Sequence, residues 1–377
     1  MSSLRAKRCN LSFVLLALAS VSFADEHDAL PCFDAAAWPE ADQLFRGDPH
    51  WLGADSAFSI DLGNDRSLWL FGDTWIDVAG EGARQNARMI RNSVAIQSGN
   101  DPSQATIKFY WDNSGEQPRA LFRREDDHWY WPGHGAVVNG KLIIFLNRLR
   151  ASSAGLGFEA DGWNTVLIEN PAEPVSEWVV REIETPANPM GITPGFAGVL
   201  ILGEHLYAFG SQHPVKSHPV FIARWTLDDV ANGELMLPEW WAGGDYGWVA
   251  NDSMPPRWPV FNGGQTEMTF HFDVVSGKFL AIQTAGFGAA NVMVRYADEL
   301  TGPWSQPQQI FEPVEKSRPN VLIYAGKAHP QLSGADLVLS YATNTTDFAE
   351  HFSDPDIYYP HFVRLTRCRK KQEGDHG

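Results

Sequence analysis

Short apolar runs joined by tight turns recur along this chain and predict a series of β-hairpins. In each unit a strand that opens on a polar residue leads into a turn, and a second apolar strand then ends in polar residues or glycine. The turns contain residues that hairpin loops favour, such as Asn139-Gly140 and Ser276-Gly277. The five units found in this way begin at Asp55, His134, Gly195, Thr266 and Lys327.

The spacing of these hairpins predicts an all-β fold, a five-bladed β-propeller. The units lie about 60 to 80 residues apart, which is too long for solenoid repeats and suits propeller blades with insertions. No segment carries a long apolar stripe of helical period, so we expect five four-stranded blades and very little helix. Periodicity alone leaves a sandwich of two packed sheets as the alternative. We assign residues 25–368 to one propeller domain and residues 369–377 to a flexible polar tail.

The first 24 residues have the features of a secretory signal peptide. Three basic residues precede an apolar segment, Leu11–Phe23, which is too short to span a bilayer and leads to a small-residue cleavage site after Ala24. We therefore expect a secreted or periplasmic protein that does not enter a membrane after cleavage. Removal of the signal peptide leaves Cys32 and Cys368, and a disulfide between them would join the ends of a ring in an oxidising compartment. Two unpaired thiols are the alternative.

Composition mainly excludes classes of partner. The 377 residues carry a formal net charge of −17 with only 20% charged side chains, which argues against nucleic acid or an anionic membrane surface as partner. The sequence contains no P-loop, zinc-protease or serine-hydrolase motif. We predict no cofactor and no catalytic metal, leave a structural calcium ion open, and expect a monomer. The 15 Trp residues suit core packing, or platforms for sugar rings where they lie beside Gly and Pro.

Asp55 and Asp73 are placed symmetrically about the first predicted turn, whose centre is Asn64. In a hairpin they would face each other across the strands, with Cβ atoms about 5 Å apart. Two carboxyl groups that close repel each other, so one of them should hold a proton more readily. One protonated and one ionised carboxyl group are the working parts of most glycoside hydrolases. The innermost strands of propeller blades line the central axis, so the pair would lie at one end of the central funnel.

Other side chains near strand ends are predicted to complete the site. Glu267 opens the fourth unit and provides a third carboxylate, as acid, base or modulator of the other two. Hydrogen-bond donors at matching positions suit sugar hydroxyl groups and a developing charge. A structural role is the alternative for the histidines and the lysine among them. The predicted substrate-binding residues are Trp75, Arg91, Asn92, Trp131, His134, Gln265, Lys327, His329 and Asn344.

Several stretches resemble a known family of five-bladed propellers. They are GADSAFSIDL and LWLFGDTW within residues 53–75, RNS at 91–93, and YAGKAHPQLS and LVLSYATN within 324–344. Together they resemble the endo-D-arabinanases of glycoside hydrolase family 183, long described only as a domain of unknown function, over about residues 50–366. The phrase YADELTGPWS at 296–305 is similar to outer-strand motifs of the wider five-bladed glycosidases.

The resemblance implies cleavage of D-arabinofuranose polymers with Asp55 and Asp73 as the catalytic pair. Where that family often has an SYNVN-like motif, this chain has SYATN at residues 340–344. We therefore predict an exported glycoside hydrolase that acts on arabinofuranosyl linkages of a polysaccharide or glycan. A sugar-binding propeller without catalytic activity is the alternative. A pure lectin has no need of three carboxylates, so the presence of Glu267 beside the aspartates favours the enzyme.

Overall fold

Five antiparallel sheets form the protein and confirm the predicted five-bladed β-propeller. The computed structural model describes residues 31–153, 155, 157–212, 216–250 and 257–368. The predicted signal peptide and the predicted tail lie outside the described residues. Helical segments in the described part are short: α1 (Pro39–Asp42), α2 (Leu227–Asn232), α3 (Glu350–Ser353) and four 3₁₀ turns (Gln43–Phe45, Arg84–Asn86, Val175–Glu177 and Val314–Ser317).

The strands follow one another blade by blade along the chain after the N-terminal strand β1 (Phe33–Ala37). Blade 1 contains β2 (Trp51–Gly63), β3 (Arg66–Ile76), β4 (Arg88–Ile90), β5 (Ser93–Ser98) and β6 (Thr106–Tyr110). Blade 2 contains β7 (Trp129–Val138), β8 (Lys141–Ala151), β9 (Phe158–Ile168) and β10 (Val180–Ile183). Blade 3 contains β11 (Val199–Leu202), β12 (His205–Ser211), β13 (Val220–Thr226), β14 (Glu239–Trp241) and β15 (Trp248–Ala250). Blade 4 contains β16 (Thr269–Asp273), β17 (Lys278–Thr284), β18 (Val292–Ala297) and β19 (Gln308–Phe311). Blade 5 contains β20 (Val321–Ala328), β21 (Leu337–Thr345) and β22 (Pro360–Arg367).

The turns of the inner hairpins lie where the sequence predicts them in four blades and differ in one. In blade 1, Asn64 and Asp65 join β2 to β3 with φ values of 55° and 56°. Asn139 and Gly140 join β7 to β8 with φ values of 50° and 80°, as a two-residue hairpin loop of this type requires. Residues 203–204 join β11 to β12, and residues 274–277 join β16 to β17. In blade 5 the last paired residues are Ala328 and Leu339, so this loop is longer than the predicted turn at residues 333–334.

Apolar side chains fill the space between neighbouring blades. The inner strand β2 packs between β7 and β20, and β11 packs between β7 and β16, which sets the order of blades around the axis. Between blades 5 and 1, Phe45 stacks on Phe362 with ring centroids 5.2 Å apart and meets the edge of Trp69 at 5.0 Å. Trp51 and Trp69 are fully buried there. Burial of each such side chain stabilises the fold by about 1.5–3 kcal/mol or more.

The N-terminal strand closes the ring. β1 pairs with β22 as the outermost strand of blade 5, so the last blade combines both ends of the described chain. The predicted disulfide is confirmed, because Cys32 and Cys368 are bonded directly beside this strand pair. Among the described residues, no helix has the length and apolar character needed to cross a bilayer.

Candidate active site

The innermost strand of blade 1 is irregular where Asp55 lies. Its pairing with β3 slips by one residue at this position. Ser56 and Ala57, which follow directly, have φ values of 73° and 58°, a conformation that residues other than glycine rarely adopt. Such a bulge re-aims neighbouring side chains. Asp55 and Asp73 are therefore not the directly opposed cross-strand pair expected from the sequence, although both lie at the same end of the hairpin.

Gly72 provides the space that the Asp55 carboxyl group occupies. A Cβ atom at position 72 would overlap Asp55 Oδ1, and it would lie 3.7 Å from Cδ1 of Trp131. The backbone at Gly72 is not in the left-handed region, so the glycine is required by this close approach and not by its φ. The Asp55 carboxyl group thus lies over the backbone of β3, next to the residue that precedes Asp73.

Two tyrosines of blade 5 form hydrogen bonds with Asp55. The hydroxyl of Tyr324 on β20 donates to Asp55 Oδ2 over 3.0 Å. The hydroxyl of Tyr358, which precedes β22, also bonds to this carboxyl group. Burial and the neighbouring charge of Asp55 raise the pKa of both tyrosines well above the ordinary value. Each hydroxyl therefore keeps its proton near neutral pH and acts as a donor.

Asp73 on β3 is held by an indole and a guanidinium group. Nε1 of Trp131 donates to Asp73 Oδ1 over 2.9 Å, and Nη1 of Arg91 lies 3.2 Å from Oδ2. The Arg91 guanidinium also lies over the ring of Trp129, 4.2 Å from its centroid. The Asp73 side chain remains 14% exposed. A carboxylate fixed in this way stays accessible from solvent.

Glu267 lies just before β16 and forms an ion pair with Lys327. The Lys327 ammonium group is fully buried, lies 2.6 Å from Glu267 Oε2, and donates to the carbonyl oxygen of Ser56 over 2.6 Å. The Ser56 hydroxyl donates to the same Glu267 oxygen over 2.9 Å. These contacts connect blades 1, 4 and 5, and they place Glu267 beside the bulge that carries Asp55.

The three carboxyl groups form one electrostatic unit. Burial raises the pKa of Asp55 well above 3.8, and the negative charges of Glu267 and Asp73 raise it further. Burial also raises the pKa of Asp73, although Arg91 opposes this increase. Asp73 and Glu267 each contact a cation, whereas the hydrogen bonds described for Asp55 come from neutral tyrosines. Of the three, Asp55 is therefore the group best placed to carry a proton.

Residues 40–368 match the family model described as a domain of unknown function, DUF5005. The chain belongs to this family. Its fold is similar to that of a hydrolase candidate from Bacteroides ovatus, with 17% identity and a TM-score of 0.67 over 88% of this chain and 90% of that one. It is also similar to a xylan β-1,4-xylosidase from Bacillus halodurans, with 9% identity and a TM-score of 0.50 over 87% of this chain and 54% of that one. This DUF5005 chain thus spans about half of the xylosidase. No curated protein matches its sequence.

Two of the predicted substrate-binding residues lie inside this DUF5005 propeller. Asn92 is fully buried, donates to the carbonyl oxygens of Phe122 and Tyr130, and accepts the N–H of Phe122. Trp75 is 5% exposed, and its Nε1 donates to Nδ1 of His351 over 3.4 Å. The burial and internal hydrogen bonds of Asn92 and Trp75 favour a structural role over the predicted contact with substrate.

His329 and His134 connect blades through Ser59. His329 is fully buried, with Nδ1 at 2.6 Å from the Ser59 hydroxyl and Nε2 at 2.7 Å from the hydroxyl of Ser340. His134 donates from Nε2 to the Ser59 carbonyl oxygen and accepts the N–H of Val199 at Nδ1, each over 3.0 Å. Burial lowers the pKa of both rings, to about 4 in His134. These contacts support the structural alternative for both histidines.

The other predicted residues lie at or next to the carboxyl groups. Arg91 and Trp131 contact Asp73 directly. Lys327 contacts Glu267 but is fully buried, which supports the structural alternative for this lysine. Gln265 is half-buried two residues before Glu267. Asn344 is connected to Asp55 only through Tyr324, because its Nδ2 donates to the Tyr324 hydroxyl over 3.3 Å.

Gly72, Tyr324 and Tyr358 are the residues of the DUF5005 site that the sequence does not single out. Gly72 directly precedes Asp73, and Tyr324 is the first residue of the stretch YAGKAHPQLS named above, so both adjoin residues that the sequence does single out. Tyr358 lies outside every motif. Its hydrogen bond to Asp55 depends on the packing of blade 5 against blade 1, which no local pattern encodes.

Asp73 and Glu267 are already paired with Arg91 and Lys327, which limits their capacity to bind a metal ion. Asp126, Asp127 and His128 form a separate cluster on an exposed loop, where Asp126 already pairs with Arg124 at 2.6 Å. Nothing else points to an ion there, so a structural calcium ion stays a prediction.

Proposed function

We propose that this protein is an exported glycoside hydrolase that cleaves arabinofuranosyl linkages in a D-arabinan-type polysaccharide or glycan. The observation that carries the proposal is the cluster of Asp55, Asp73 and Glu267 at one end of the hairpins, with a raised pKa at Asp55. Glycosidases require one protonated and one ionised carboxyl group near the same bond. A protein that only binds sugars gains nothing from the energetic cost of this like-charge cluster.

In the proposed reaction, Asp55 supplies the proton to the leaving-group oxygen. Its hydrogen-bond partners are neutral, and burial together with two nearby negative charges favours its protonated form. Asp73 acts in its ionised form, either on the anomeric carbon or on a water molecule, because Arg91 and Trp131 stabilise its negative charge. Glu267, paired with Lys327, maintains the negative potential that keeps the Asp55 proton in place.

The comparisons support the hydrolase class, and the sequence motifs support the substrate. Structural relatives with the same fold bear names that denote a hydrolase candidate and a xylosidase, which makes carbohydrate hydrolysis the natural first activity to assay. The preference for D-arabinan rests on the resemblance of residues 53–75 and 324–344 to endo-D-arabinanases. Export rests on the predicted signal peptide, and the disulfide fits an oxidising compartment.

The experiment compares wild type with Asp55→Asn and Asp73→Asn on D-arabinan, L-arabinan and xylan, with released oligosaccharides measured by chromatography. Each variant should lose about 100-fold or more in rate, the usual scale for general acid–base catalysis. Asp61→Asn is the matched control, because Asp61 is exposed at the other end of β2 and should leave the rate unchanged.

Two outcomes would contradict the proposal. If both folded active-site variants cut at the wild-type rate, the carboxyl pair is not the catalytic machinery. If wild type binds an arabinan in calorimetry but releases no product, the protein is the non-catalytic sugar-binding propeller.

A further inference from the structure

A line of hydrogen bonds connects the buried Trp75 with Asp55 through three other side chains. Trp75 Nε1 donates to His351 Nδ1 over 3.4 Å, and His351 Nε2 lies 2.9 Å from Asn344 Oδ1. Asn344 Nδ2 donates to the Tyr324 oxygen over 3.3 Å. The Tyr324 hydroxyl donates to Asp55 Oδ2 over 3.0 Å. We call these residues the donor chain.

The chemistry of each group gives the donor chain one direction. An indole N–H only donates, so His351 Nδ1 accepts and the ring proton lies on Nε2. Burial lowers the pKa of His351 to about 4, which keeps the ring neutral near pH 7. Asn344 Oδ1 also accepts the backbone N–H of Thr345 over 2.7 Å, so the amide nitrogen faces Tyr324. The Tyr324 oxygen then accepts a bond, and its own proton is left for the carboxyl group.

We propose that Tyr324 is a positioning residue that fixes the Asp55 carboxyl group through Oδ2, and that His351 and Asn344 hold the Tyr324 hydroxyl in its donor orientation. The catalytic importance of Asp55 rests on the proposed function, whereas the contacts of Tyr324, Asn344 and His351 do not. The other oxygen of this carboxyl group, Oδ1, lies over Gly72. Tyr358, Asp73 and Glu267 also act on the Asp55 carboxyl group and stay unchanged in the variants described below. Hydrogen bonds in series polarise one another, so each member strengthens the donor at the end.

Carboxyl-carbon NMR titration of the full-length protein labelled at aspartate tests this without any substrate. The Asp55 signal is identified by its loss in Asp55→Asn. Tyr324→Phe keeps the ring and removes the donor, so the pKa of Asp55 should rise by about one pH unit, because a hydrogen bond to the charged form is lost. Asn344→Leu leaves the hydroxyl in place without its orienting donor, and should raise the pKa of Asp55 by a smaller amount.

Tyr341→Phe is the matched control. Tyr341 is a buried tyrosine on β21, and its hydroxyl donates to Glu315 over 2.7 Å instead of to Asp55. This variant should leave the Asp55 titration unchanged. An unchanged Asp55 titration in Tyr324→Phe would overturn the proposal. An unchanged titration in Asn344→Leu alone would overturn the part assigned to His351 and Asn344.

Kinetics separate this inference from the proposed function. If the protein hydrolyses an arabinan, the limb of its pH–rate profile that belongs to Asp55 should move in Tyr324→Phe by the same interval as the NMR titration. A profile that stays in place while the NMR titration moves would overturn the link between Tyr324 and catalysis. If no arabinan is cut and the NMR titration still moves, the proposed function fails while the positioning of Asp55 by Tyr324 stands.

Discussion

Replacement of Gly72 by alanine should disable the carboxyl cluster and leave the blade folded. The added Cβ would overlap Asp55 Oδ1, whereas ordinary contacts with a Cβ atom begin at 3.4 Å, so the carboxyl group has to move by about 1 Å. A misplacement of about 1 Å can lower a catalysed rate by about 100-fold. Alanine tolerates the backbone conformation found here. The lower conformational entropy of the unfolded alanine variant stabilises the folded state by about 0.4–1 kcal/mol, which offsets part of the free energy lost to steric crowding.

The assay measures kcat/KM on D-arabinan and the melting temperature of Gly72→Ala beside Gly244→Ala. No heavy atom lies within 4 Å of a Cβ built at Gly244, so that variant makes the same chemical change in open space and should keep wild-type kinetics. A folded Gly72→Ala protein that hydrolyses the substrate at the wild-type rate would refute the reasoning, because the Asp55 carboxyl group would then not need to lie over β3.

Two further predictions concern stability. Because the pKa of Asp55 is higher in the folded protein than its ordinary value of 3.8, this group stabilises the fold fully only below pH 3.8. That contribution is lost as the pH rises through the higher pKa of the folded state. The asparagine of Asp55→Asn does not titrate, so this variant should have a higher melting temperature than wild type at pH 7. The difference in melting temperature should shrink towards pH 3.8. Equal melting temperatures at pH 7 would contradict this prediction. The Cys32→Ser, Cys368→Ser double variant should lose roughly 5 kcal/mol of unfolding free energy in urea, because the bridge joins residues 336 positions apart. An unchanged unfolding free energy would show that the ring closes without the bridge.

The blades were predictable because their signals are local. Alternation of apolar residues lies within each strand, and turn residues such as Asn139 and Gly140 need only their own backbone conformation. The short strands β4 and β15 each add a fifth strand to a blade, contrary to the expected four, because three residues carry too little pattern to be recognised. The length of the loop between β20 and β21 was not predicted, for a related reason. Its Ser333-Gly334 dipeptide is typical of a hairpin turn, but it lies inside a larger connection.

The roles of individual side chains were harder to predict, because they depend on how deeply each side chain is buried in the folded protein. His329 and Asn92 stand at strand ends like true funnel residues, yet both are fully buried and bonded within the protein. Whether such a side chain faces solvent or the protein interior depends on the packing of whole blades, which a local sequence pattern does not contain. The bulge after Asp55 is formed by Ser56 and Ala57, neither of which is the glycine that would mark such a backbone in a sequence.

The environment of Asp55 depends on closure of the ring. Its donor Tyr324 lies 269 positions away along the chain, in blade 5, and Glu267 comes from blade 4. The packing of the last blade against the first brings Tyr324 to Asp55, and Phe362 of β22 contributes to that core. The same β22 is held on its outer side by β1 and the disulfide. The stability of the ring closure and the hydrogen bond from Tyr324 to Asp55 therefore depend on the same interface between blades 5 and 1, and this closure helps to hold the like charges of the cluster close together.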